Sequence, residues 1–421
     1  MILIQKVRVL NPVSDQEQVT DLLLVDGVIQ GIAPTIANLP ENIKVINGEG
    51  LIAGPGLVDL YSHSGEPGNE ARETLLSLGG AAMAGGFTRL SILPDVIPIL
   101  DNLALLESLQ QNTKNLGSSA FPYFQFWGAL TVANQGQQMT EMTELLPKVV
   151  GFSDGYPIDN FSLLRRILEY LQPFDKPIAL VPDNRQLRGN GVMREGISSI
   201  RFGLPGNPVL AEAIAIASIL ELVAAIKTPV HLMRISTARG VELIAQAKDQ
   251  GLPVTASTTW MHLLYDTQAL SSYDVNLRLE PPLGNPSDVD ALIKGVKTGV
   301  IDAIAVDHTP YTYEEKTLAF AEAPPGVIGL ELILPVLWNR FVVNGNWSGL
   351  ELWRALSTNP LLCLKQEPIS CLSGQSSEII LFDPQQQWTV IRANLKSLSS
   401  NTPWWGKQIT GRVLNPHTFN P

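Results

Sequence analysis

The sequence predicts an α/β protein: a parallel (β/α)8 barrel carrying a small composite β-sandwich domain built from both termini. Three observations predict it. Apolar strand-like runs alternate with helical stretches from residue 56 onward, both ends of the chain carry β pattern alone, and 421 residues is the length of a barrel with a satellite.

The first fifty residues hold ILIQKVRVL, DLLLVDGVIQGIA and KVINGEGLI, with Asp26-Gly27 placed where a tight hairpin turn wants it. They form the N-terminal part of the composite domain, residues 1–53. The barrel takes 54–368, with strands GLVDLYS, FTRLSIL, YFQFWGAL, KVVGFSD, PIALVPD, VHLMRIS, PVTASTTW and DAIAVDH. Helical stretches such as ETLLSLGGAAMAGG, FSLLRRILEYL, PVLAEAIAIASILELVAAI and ARGVELIAQAKDQ separate them, and further helices lie around LILPVLWNRF and LELWRAL. This is the alternation of a TIM-type barrel with helices outside. From 369 to 421 the β rhythm returns in EIILFDP, WTVIRA and KQITGRVL, which predicts that the two termini meet in one sheet.

Composition excludes several classes. A net charge of −11 without a Lys/Arg run argues against nucleic acid, whose phosphates need clustered basic side chains. The start MILIQKVRVLNP lacks the basic and apolar sections of a signal peptide, and no apolar run approaches the ~20 residues that span a bilayer. A cytoplasmic protein is the expectation. The cysteines Cys363 and Cys371 have no nearby Cys/His pair, so neither a disulfide framework nor a zinc finger is predicted.

In such barrels chemistry gathers where the strands end, here at 61–68, 93–95, 154, 181–183, 234, 260–284 and 307–311. Five histidines are available to furnish a cluster. GLVDLYSHSGEPG, AAMAGGFTRLSILPD, FSDGYPI, NRQLRGNGVMREG, RISTARGVELI, LEPPL and DAIAVDHTPYTYEEK resemble, in order, dihydroorotase of the amidohydrolase superfamily. The tail, with SEIILFDP and SLSSNTPWWGKQITGRV, resembles that family's closing sheet, so the likeness runs along essentially the whole chain.

The resemblance implies a hydrolase fold of pyrimidine biosynthesis, in which zinc generates hydroxide to open or close a cyclic amide. The family's ligand positions are only partly kept. His63, Asp154 and Asp307 match ligands, and Asp307 also matches the residue that shuttles the proton. Tyr61, Val181 and Arg234 stand where the family has metal-binding histidines. Tyrosine seldom ligates zinc, and valine has no donor atom. Of the positions that hold substrate, Gly65, Asp95, Gly284 and Tyr311 replace an arginine, an asparagine, an arginine and a histidine.

The resemblance with these departures implies a probe-worthy change of role: a non-catalytic dihydroorotase-like chain acting as a structural or regulatory partner, of aspartate carbamoyltransferase for example, or through self-association. No cofactor is expected, and zinc only if the remnant site of His63, Asp154 and Asp307 is occupied. Arg234, if it points inward, would stand in for the metal as a fixed cation against Asp154 and Asp307. The alternative is an active zinc-dependent dihydroorotase or related cyclic amidohydrolase on the three remaining ligands, with Asp307 as base. A small-molecule sensor is a third reading, without specific residues in its favour. His231 lies three residues before Arg234, and odd spacing on a strand sends the two to opposite faces. His262 resembles the family's loop histidine and is read as a packing or loop residue, His308 as facing away from Asp307, and His417 as solvated outside the barrel.

Overall fold

The computed structural model describes residues 1–25, 28–37, 43–117, 121–370 and 378–414. The Asp26-Gly27 turn, Cys371 and His417 lie outside the described residues. The chain opens with β1 (Ile2–Asn11), β2 (Gln16–Val25), β3 (Val28–Ala33), β4 (Lys44–Asn47) and β5 (Ile52–Pro55). The next strands are β6 (Leu57–Ser62), β7 (Phe87–Ile92), β8 (Tyr123–Gly128), β9 (Gly151–Phe152) and β10 (Ala179–Leu180). A short parallel ribbon, β11 (Met193–Arg194) with β12 (Gly206–Asn207), then precedes β13 (Val230–Leu232), β14 (Val254–Thr259) and β15 (Ala303–Ala305). The chain closes with β16 (Ile379–Thr389) and β17 (Gln408–Leu414).

β5 is the seam of the terminal sheet. It pairs parallel with β1 and antiparallel with β16, so the order β17-β16-β5-β1-β2-β3, with β4 beside β1, joins both ends of the chain. EIILFDP and WTVIRA were expected as two strands, but β16 runs through both as far as Thr389. Its register with β17 slips between Asp383 and Gln387, a bulge around Pro384, whose missing N–H cannot serve a regular ladder.

The barrel is two parallel four-stranded arcs, β6-β7-β8-β9 and β10-β13-β14-β15. A bridge between Phe152 and Ile178 joins them on one side, and on the other the His63 amide donates to the His308 carbonyl at 2.9 Å. Val58, Leu60, Leu93, Trp127, Met233 and Ala305 fill the interior, while the helices bury their apolar sides against the outside of the strands. The helix Val209–Ile226 is long and apolar enough, at mean hydropathy 2.3, to cross a bilayer, which the sequence reading did not anticipate. It instead packs on the helices Phe161–Leu171 and Ala238–Asp249, and its Glu212 is buried at the barrel rim.

Candidate functional site

The ends of β6, β13 and β15 carry His63, Arg234 and Asp307 to one point, where they line a cavity of about 390 Å³ at the barrel mouth. Arg234 contacts both of the others and is only 7% exposed. Its Nε donates to Asp307 Oδ2 at 2.8 Å and its Nη2 to Asp307 Oδ1 at 2.6 Å, a two-bond fork that an ammonium could not make. Nη1 donates to the Gly155 carbonyl at 2.8 Å, and the guanidinium carbon lies 5.5 Å from the centre of the Tyr61 ring. Burial disfavours the Arg234 charge, but Asp307 outweighs it and raises the pKa further above the ordinary value. Burial likewise pushes Asp307 up, and Arg234 with His63 holds its carboxyl well below the usual carboxylate range.

His63 is fixed from behind. Its Nδ1 meets Asp95 Oδ2 at 2.5 Å, so the residue read as a lost substrate contact is the partner of an imidazole. Nε2 lies 3.1 Å from Arg234 Nη2 and 3.5 Å from Asp307 Oδ1. The first contact is a hydrogen bond only when that nitrogen is bare; a protonated ring directs it to Asp307. Burial opposes the imidazolium, but Asp95 and Asp307 raise the pKa to about 9. A protonated His63 makes two cations for two carboxylates, a neutral buried cluster.

Asp154 does not join them. Its Oδ1 accepts from the Leu130 and Thr131 amides at 2.7 and 2.9 Å and its Oδ2 from Thr131 Oγ1 at 2.5 Å; it is 2% exposed and absent from the cavity wall. Burial raises its pKa to about 6 against the pull of those bonds. Arg234 therefore pairs with Asp307 and the Gly155 carbonyl, and the expected contact with Asp154 is corrected: the loop at 130–131 claims that carboxylate first. Tyr61 takes the place of a donor without acting as one, its hydroxyl sharing a hydrogen bond with Ser257 Oγ at 2.9 Å and accepting from the Arg234 amide at 3.2 Å. Val181 lines the cavity as bare hydrocarbon.

His231 corrects the spacing argument. It bonds Thr255 and Ser257, and Ser257 bonds Tyr61, so His231 and Arg234 both face the barrel interior. The alternation stops because Arg234 stands in left-handed backbone, φ 56°. His231 remains beneath the cavity floor, its pKa driven to about 3 by burial. His262 lines the cavity, its Nδ1 against Thr259 Oγ1 at 2.7 Å and its Nε2 donating to the Pro281 carbonyl at 3.1 Å. His308 turns away, accepting from the Gly329 amide and meeting Glu73 at 3.3 Å.

The opposite wall was not foreseen. Arg188 pairs with Asp183 at 3.0 Å and with Glu280, and Arg72 pairs with Glu315. Arg194 is 1% exposed and donates to Ser236 Oγ at 2.7 Å. Glu212 accepts from the Ser236 and Thr237 amides at 3.0 Å each, pinning the turn after β13. A carboxylate in the first turn of an otherwise largely apolar helix was the signal available for Glu212, and NRQLRGNGVMREG for Arg188 and Arg194. Gly65 and Gly284 have no room for larger side chains: a Cβ would come within 2.4 Å of the Asn69 and Glu73 carbonyls at the first, and 2.6 Å from Asp288 Cβ at the second.

The donor set does not fit zinc. A guanidinium already contacts both His63 and Asp307, Tyr61 is committed to Ser257 and a backbone amide, and Asp154 is turned away. Among the described residues no group of three or more His, Cys, Asp or Glu is placed to hold a metal ion.

Known proteins resemble the chain along its length. A family model described as dihydro-orotase-like matches residues 50–239. A "probable dihydroorotase-like protein" of Synechocystis sp. is 48% identical, covering 97% of this chain and 98% of its own. A dihydroorotase of Pelobacter propionicus is 35% identical over 98% of this chain and 97% of its own. Among solved structures, L-hydantoinase (dihydropyrimidinase) from Arthrobacter aurescens superposes with a TM-score of 0.82 over 98% of this chain and 93% of its own; at 20% identity this speaks for the barrel and β-sandwich fold alone. With relatives this similar over nearly every residue, the chain belongs to the dihydroorotase-like family.

Proposed function

We propose that this chain is a non-catalytic dihydroorotase-like protein of pyrimidine biosynthesis, acting as a structural or regulatory partner, with aspartate carbamoyltransferase as the partner to test first. The observation that carries the reading is the fork between Arg234 and Asp307. A general base works best with a pKa near the operating pH, and Asp307 is held far below it by a cation that cannot be deprotonated. One lone pair on each of its oxygens is held by the guanidinium. Arg72 and Arg188 are ion-paired and so not free to receive a substrate carboxylate, which leaves Arg194, bound to Ser236 Oγ, as the other guanidinium of that wall.

The test is turnover of dihydroorotate and carbamoyl-aspartate with and without added zinc, alongside co-purification with aspartate carbamoyltransferase from the same organism. No turnover and a stable complex support the reading. Turnover that disappears in Asp307→Asn would overturn its non-catalytic half, and a folded protein that never co-elutes with the transferase would overturn the choice of partner.

A further inference from the structure

Arg234 sits where a metal would have to sit, and we infer that its guanidinium closes the space between His63 and Asp307 to divalent cations, so that Arg234→His opens a zinc site on those two residues. The inference rests on the non-catalytic reading above and adds a cause that one residue can reverse.

The spacing of the two remaining donors matches the span of a shared metal. His63 Nε2 and Asp307 Oδ1 are 3.5 Å apart. Two ligands of a tetrahedral zinc with bonds of about 2.1 Å are separated by roughly 3.4 Å, the edge of the tetrahedron. Arg234 Nη2 is in contact with both atoms, at 3.1 and 2.6 Å, and so occupies the space between them with a positive charge. His63 is also oriented from behind as metal-binding histidines are, with a carboxylate on Nδ1 that turns Nε2 toward the centre. A divalent ion entering here must displace a guanidinium that makes two bonds to Asp307 and one to Gly155, or share a mostly buried site with it.

Position 234 accepts histidine on backbone grounds. Its φ of 56° lies in the left-handed region, where histidine is among the enriched non-glycine residues. The shorter ring vacates the centre and brings a third donor, and three protein ligands with an open fourth position is the pattern of a reactive zinc site.

The experiment is zinc content by elemental analysis after equilibration with zinc and desalting, on the wild-type chain, Arg234→His, and Arg234→His with Asp307→Asn. Cobalt(II) is used in parallel, because tetrahedral coordination gives intense visible absorption. The expected result is less than about 0.1 zinc per wild-type chain, about one per Arg234→His chain with the tetrahedral cobalt spectrum, and loss of both in the double variant. A folded Arg234→His that takes up neither metal overturns the inference and leaves the non-catalytic reading standing. One zinc on the wild-type chain that His63→Ala removes overturns both. Should Arg234→His fold poorly without metal, thermal midpoints of Arg234→Gln and Arg234→Lys decide: zinc is expected to stabilise the neutral variant and not the charged one, and equal responses overturn the inference.

Discussion

Arg234 and Asp307, joined by two hydrogen bonds across the barrel mouth, both stand in left-handed backbone, with φ of 56° and 53°. Neither is glycine, so each conformation is held by its surroundings, and the pair is part of what holds it. Removing one partner of a buried pair strands the other charge, at a cost of about 3–5 kcal/mol. Arg234→Ala is therefore expected to lower unfolding free energy in urea by about that amount. Adding Asp307→Asn, which is neutral and tolerates left-handed backbone, should restore at least half of the loss. Equal instability of the single and double variants would show that packing, and not the stranded charge, is the cause.

Asp154 tests whether a matching carboxylate is a ligand or a brace. It caps the Leu130 and Thr131 amides inside the protein, and Ala there leaves two buried N–H groups without partners. At roughly 1–3 kcal/mol for each orphaned donor, Asp154→Ala should destabilise the chain by about 2–6 kcal/mol. Asp154→Asn keeps an oxygen for both amides and should cost less than half as much. Chemical denaturation of the two variants separates the roles: a surface-like effect from Ala would remove the brace.

Glu331 carries a pH dependence of known sign. It is 8% exposed, and its Oε1 accepts from the Lys396 and Ser397 amides at 2.8 and 3.1 Å, tying the barrel to the segment before β17. Burial, with the Glu73 charge nearby, raises its pKa from 4.5 to about 7. Because the folded value is the higher one, the folded state holds the proton more tightly. The contribution is complete below the unfolded value and is lost as pH rises toward about 7. Glu331→Gln keeps the accepting oxygen and cannot ionise. Its thermal midpoint should match wild type near pH 4 and exceed it at pH 8; parallel curves across that range would refute the assignment.

The strand order was legible because each barrel strand is a short apolar run with its own helix behind it, and hydrophobic period carries that information locally. The meeting of His63, Arg234 and Asp307 was legible for the same reason: all three follow strands whose ends converge. What the sequence could not show depends on contacts without local pattern. Asp154 faces the amides of a loop 23 and 24 residues earlier in the chain, and Arg188 reaches Glu280 across 92 residues. Alternation along a strand misplaced His231 because it presumes that the strand continues, whereas β13 ends at Leu232 and Arg234 stands in left-handed backbone. Asp95 read as a lost substrate contact because its new partner, His63, lies on a neighbouring strand end and not beside it in sequence.

The seam between barrel and terminal sheet supplies a prediction independent of the site. Gly54 on β5 lies under the indole of Trp353, and a Cβ there would fall 2.5 Å from Trp353 Cε2 and Nε1. The indole has no freedom to retreat: it is fully buried, its Nε1 donates to the Pro55 carbonyl at 2.8 Å, and Trp338 and Phe382 pack against it at ring separations of 6.2 and 6.5 Å. Overpacking of this kind costs about 1–3 kcal/mol when neighbours can shift, and more when they cannot. Gly54→Ala should fall at or above the upper end of that range. Trp353→Phe, which frees space and gives up one hydrogen bond, should in combination with Gly54→Ala recover part of the loss. A Gly54→Ala chain with an unchanged urea midpoint would mean that the indole moves aside, and that the joint between the two domains is softer than its packing indicates.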